Sequence, residues 1–119
     1  MLFNAVLGHE TQKKSLTDSL AIERIPHAQL FEGDDGHGLL HMALAYANAV
    51  VCGDNIDGPS MQKATSMVHP DIHFVFPTAT TSDVKTKPTS NDFLGKWRSF
   101  VSEHPFGSPY DWMRYLGAE

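Results

Sequence analysis

The feature that most constrains the fold is the turn Gly33-Asp-Asp-Gly-His-Gly38, three glycines in six residues. It sits between the apolar run His27-Ala-Gln-Leu-Phe-Glu32 and a strongly apolar segment beginning at Leu39. Glycines at this density permit positive φ and close backbone approach, which a sharp strand-to-helix reversal requires. The run before the turn reads as a short buried strand, through Ala28, Leu30 and Phe31. Residues 39–51 read as a helix. Leu40, Ala43, Ala47, Val50 and Val51 line one face, while Leu39, Met42 and Tyr46 widen it. A helix apolar over so much of its circumference is normally covered on two sides. Strand, glycine turn and helix in that order predict an α/β fold.

The remaining chain supports a further strand and four more helices. Residues 9–24 form a first helix, with Glu10 near its start, Leu16 and Leu20 on one face, and Pro26 ending it. Pro59 and Ser60 open a short helix running to about Val68, with Met61, Ala64 and Met67 or Val68 inward. His69-Pro70-Asp71 breaks it, because the residue before proline is pushed out of helical geometry. Ile72, Phe74 and Phe76 then alternate with His73 and Val75, a period-two strand closed by Pro77. Residues 78–90 are rich in Thr, Ser, Lys and Pro and read as a mobile loop. Ser90 caps a helix over residues 91–104, carrying Phe93, Leu94, Trp97, Phe100 and Val101 on one face. Ser108-Pro109 starts the last helix, which Gly117 closes. Two strands are too few for a parallel sheet covered on both faces. The expected arrangement is therefore an incomplete parallel sheet in a three-layer αβα domain over residues 1–119, with missing strands supplied beyond Glu119.

The spacing Gly33 to Gly38 matches the two glycines of a phosphate-binding loop, G-x-x-x-x-G-K-[ST]. Leu39 and Leu40 occupy the lysine and hydroxyl positions. Successive backbone N–H groups can still form an anion nest. Without lysine, nothing balances the β- and γ-phosphates, and without a hydroxyl the loop cannot hold magnesium. Asp34 and Asp35 add negative charge to the turn. The competing reading is a tight turn whose glycines serve packing alone. No apolar strand ending in Asp-Glu is present to position magnesium and water, so the chain is expected to hydrolyse no ATP and to hold no catalytic residue.

Other constellations favour structural roles. His37 and His41 are spaced for zinc, but no third ligand lies nearby, and solvated helix-start histidines fit better. His69 and His73 suggest surface or capping roles. Cys52 is the single cysteine, which excludes an internal disulfide and has no activating histidine or glycine elbow beside it. The aromatic stripes Phe93, Trp97, Phe100 and Trp112 read as core, or as an exposed docking face. A net charge of −5 with no basic cluster makes direct grip on DNA phosphates improbable on charge grounds. Composition, 41% hydrophobic and 19% charged, is that of a globular chain, with no secretion signal and no membrane-length apolar run. A cytoplasmic location is expected.

The run Arg24-Ile25-Pro26-His27-Ala28-Gln29-Leu30-Phe31-Glu32-Gly33, continuing through Gly36 and Gly38, resembles the bacterial DNA polymerase III delta prime, or clamp-loader AAA+, family. That family's domain typically reads R-x-x-H-A-x-L-F-x-G-x-x-G-x-G-K. Phe3 to Gly8, Leu44-Ala-Tyr-Ala47, His69-Pro70-Asp71 and, less specifically, Trp97 to Glu119 are similar to the family as well. The resemblance implies a P-loop AAA+ domain in its N-terminal portion and a part in DNA replication. The implied role is a non-catalytic, stator-like subunit of the DNA-directed DNA polymerase (nucleotidyltransferase) complex. Gamma or tau subunits hydrolyse ATP, delta is a further partner, and the sliding clamp and primed DNA are reached indirectly. It also implies residual, weak ATP or ADP contact through the backbone of Gly33, Gly36, His37, Gly38, Leu39 and Leu40, with Val6 and Leu7 near an adenine. The family usually carries a four-cysteine zinc module between its second helix and the His-Pro-Asp break. Here Cys52 alone remains, with Asn55, Gly58 and Met61 where the other ligands would lie, so residues 53–70 form a degenerate module without zinc, packed by Met61 and its neighbours. The alternatives are a P-loop ATPase or kinase, and a protein-interaction module with a vestigial loop.

Overall fold

The computed structural model describes residue 3 and residues 6–53 and 58–117, divided into two units, Met1–Ile72 and His73–Glu119. In the first unit the helices are α1 (Glu10–Ala21), α2 (Leu39–Cys52) and α3 (Pro59–Thr65). In the second, a 3-10 turn (Ser90–Phe93) leads directly into α4 (Leu94–Glu103), followed by α5 (Pro109–Leu116).

The α/β, three-layer expectation is overturned. Among the described residues there is no strand and no sheet, so the chain lacks the architecture of a P-loop AAA+ domain. Neither segment read as a strand forms one, because a strand exists only when its N–H and C=O groups find a ladder partner. The backbone of residues 25–36 makes no hydrogen bond to any described residue. Nor is the first segment buried: residues 27–30 are exposed, Leu30 to 83%. Phe31 alone turns inward, its ring 6.3 Å from that of Tyr46.

The second segment keeps its period-two alternation. Phe76 is buried, Ile72 and Phe74 are half-buried, and Val75 is 92% exposed. What replaces the ladder is a side chain. The Phe76 N–H donates to Ser90 Oγ (3.3 Å), and that hydroxyl donates back to the Phe76 carbonyl (3.4 Å). Ser90 therefore does not cap the following helix as its position predicts. Thr89 does, one residue earlier, its N–H and hydroxyl both donating to the Asp92 carboxylate at 2.9 and 3.0 Å.

The core of the first unit gathers Phe3, Val6, Met42, Ala45 and Tyr46, with Leu16, Leu20 and Phe31 packed against it. Along α2 the deepest stripe is Met42, Ala45 and Tyr46, whereas Leu40 and Val50 on the face expected to lead are exposed. An apolar surface running nearly all round a helix cannot fix its own orientation. Here the Tyr46 hydroxyl, 3.0 Å from Ser19 Oγ on α1, marks the buried side. From α3, Met61, Ala64 and then Met67 are buried, while Val68 is 49% exposed.

Helix α1 stops at Ala21, well before Pro26. The Arg24 N–H donates to the Ser19 carbonyl (3.0 Å), closing a Schellman-type end in which Glu23 takes φ +54°. That left-handed conformation strains any residue with a Cβ. Glu23→Gly is expected to raise stability by about 1 kcal/mol, read as a higher urea midpoint at unchanged slope.

The second unit is built on aromatic rings. Trp97 stacks on Phe76 (4.5 Å, 12°) and meets Trp112 edge-on (5.1 Å, 88°), and Phe93, Phe100, Val101 and Leu116 complete the cluster. The core reading of these stripes holds over the docking-face reading. Ser108 caps α5 as its position predicts, its Oγ accepting the Asp111 N–H at 3.1 Å. In return the Asp111 carboxylate accepts the Ser108 N–H at 2.9 Å, and this bond, with that from the Ser108 hydroxyl, holds its carboxyl below the usual aspartate range.

Candidate functional site

The glycine turn of residues 33–38 carries the chain into α2 through two left-handed residues, Gly36 at φ +87° and Gly38 at φ +77°. Gly33 has ordinary φ and room for a side chain: a Cβ there would make ordinary van der Waals contact, 3.5 Å from both Cδ atoms of Leu39. Leu39 therefore folds back over the loop. A hydrocarbon side chain lies against the first glycine of the turn.

An open cleft of about 420 Å³ lies beside this turn. Its first wall is the turn and the start of α2: Gly33, His37, Gly38, Leu39 and Met42. The second is the segment before the turn, Gln29 to Glu32. The third is α1, through His9, Gln12, Ser15 and Leu16. The turn is tied to that third wall by a 2.9 Å hydrogen bond between His9 Nε2 and the His37 carbonyl. As a carbonyl can only accept, Nε2 carries the proton here.

The cleft unites only some of the residues singled out from sequence. Gly33, His37, Gly38 and Leu39 line it. Gly36 lies in open space at the tip, and Leu40 does not line the cleft. Val6 is 3% exposed in the core and Leu7 is 78% exposed, and neither lines the cleft. The α1 contribution went unread: His9, Gln12, Ser15 and Leu16 recur at three- and four-residue spacing, which puts them on one helical face but does not say what that face meets.

No lysine or arginine lines the cleft. The nearby Lys13 donates instead to the Val6 carbonyl and lies 3.6 Å from the Glu10 carboxylate. Among the described residues Glu32 is the one formally charged residue that lines it, with Asp34 and Asp35 exposed on the adjoining turn. The electrostatic character of this surface repels rather than collects phosphate.

The histidine of the His-Pro-Asp break has a structural place. His69 is 8% exposed; its Nδ1 accepts the Asp71 N–H (3.1 Å) and its Nε2 lies 2.9 Å from Ser60 Oγ on α3. Because Nδ1 accepts, the neutral ring bears its proton on Nε2 and donates it to Ser60. A capping role fits this geometry and a surface role does not, whereas His73 is exposed. Among the described residues no three His, Cys, Asp or Glu side chains are grouped to hold a metal ion. Of the positions where the resemblance would put zinc ligands, Cys52 is half-buried at the end of α2, Gly58 precedes α3, and Met61 is 3% exposed; Asn55 lies outside the described residues. Among the described residues no helix is long and apolar enough to cross a membrane.

The model of the family described as DNA polymerase III, delta subunit, matches residues 8–110. The chain belongs to that family. Its members are clamp-loader subunits of the delta and delta prime kind, which places this chain among the components of the DNA polymerase III complex. No curated protein and no solved structure matches the chain. The family match spans the glycine turn, the His-Pro-Asp break and the Phe76, Phe93, Trp97 and Phe100 part of the aromatic cluster, so it does not rest on the turn alone.

Proposed function

We propose that this delta-family chain is a non-catalytic, stator-like part of the clamp loader. It supports ATP-driven loading of the sliding clamp while gamma or tau subunits perform the hydrolysis. The observation that carries this reading is the Leu39 side chain lying over Gly33, in a cleft without lysine or arginine. Phosphoryl transfer depends on cations placed against the β- and γ-phosphates, and on a hydroxyl and acid that hold magnesium. What the turn retains for a nucleotide is backbone from Gly33 to Leu40, enough for weak contact alone. A net charge of −5 favours work on DNA through partner subunits, with delta beside gamma or tau, in the cytoplasm.

Calorimetric titration with ATP and ADP in magnesium tests the reading, on the native chain and on a Leu39→Lys, Leu40→Thr variant. The native chain is expected to show no saturable heat below about 1 mM nucleotide, and the variant to gain affinity. Micromolar binding by the native chain would overturn the proposal and restore a nucleotide-dependent ATPase or kinase.

A further inference from the structure

We draw no further inference here: the strongest candidate, the open cleft that α1 and residues 29–32 form with the glycine turn, belongs to the site already described, and nothing in the structure shows what it binds.

Discussion

Trp112→Ala is expected to lower stability by about 3–5 kcal/mol, the range for deleting a buried aromatic side chain. Trp112 is 2% exposed and sits where four rings converge. Trp97 and Phe76 meet it edge-on at 5.1 and 5.2 Å, and Phe100 lies tilted at 5.4 Å. Its indole N–H donates to the Pro77 carbonyl at 2.7 Å, tying α5 to the segment thirty-five residues earlier. Alanine removes the ring, the edge contacts and that tie together. Trp112→Phe separates the contributions. It keeps most of the apolar volume and loses the donor, and since Pro77 is exposed its carbonyl can be rehydrated, so a loss of about 1–2 kcal/mol is expected. Urea unfolding followed by the fluorescence of the remaining Trp97 reads both. If Trp112→Ala unfolded at the native midpoint, the aromatic cluster would not be the core of the second unit.

The second large effect is expected at His69. Alanine there strands the Asp71 N–H and the Ser60 hydroxyl in a part-buried setting and opens a void. Together these cost about 2–4 kcal/mol. His69→Asn is the informative companion. Its amide oxygen can accept an N–H two residues on, as an Asx turn does, so it can keep the Asp71 bond while failing to reach Ser60. An intermediate loss of about 1–2 kcal/mol is expected. Equal losses for alanine and asparagine would assign the effect to volume and leave the hydrogen bonds without weight. Ser60→Ala should reproduce the difference between asparagine and the native chain.

The helices were legible because their signals are local. Pro59 after Gly58, Ser108 before Pro109, Gly53 and Gly117 each mark a helix end within one turn, and the structure places ends at all four. The inward faces of α3 and α4 follow from three- and four-residue spacing. The strands were not legible, because alternation reports which side chains turn inward and says nothing of what the backbone bonds to. Ile72 to Phe76 shows this plainly: the alternation is right, and the partner is the hydroxyl of Ser90. At the candidate site the turn could be found from its glycines, but the wall formed by His9, Gln12 and Ser15 could not. Polar residues on an exposed helix carry no mark of facing a cleft until the second and third walls are placed.

The turn at residues 33–38 divides its positions by what each tolerates. Its glycines and the residue that follows them, Leu39, answer to separate constraints. Any side chain at Gly36 or Gly38 would force a left-handed residue to carry a Cβ, a strain of about 1–2 kcal/mol at each. Position 39 carries no such restriction, being an ordinary helical residue at the start of α2. Substitution at residue 39 is therefore expected to spare the turn, and substitution at Gly36 or Gly38 to distort it. The glycine spacing is a record of chain geometry, and geometry of this kind is compatible with many chemistries or with none.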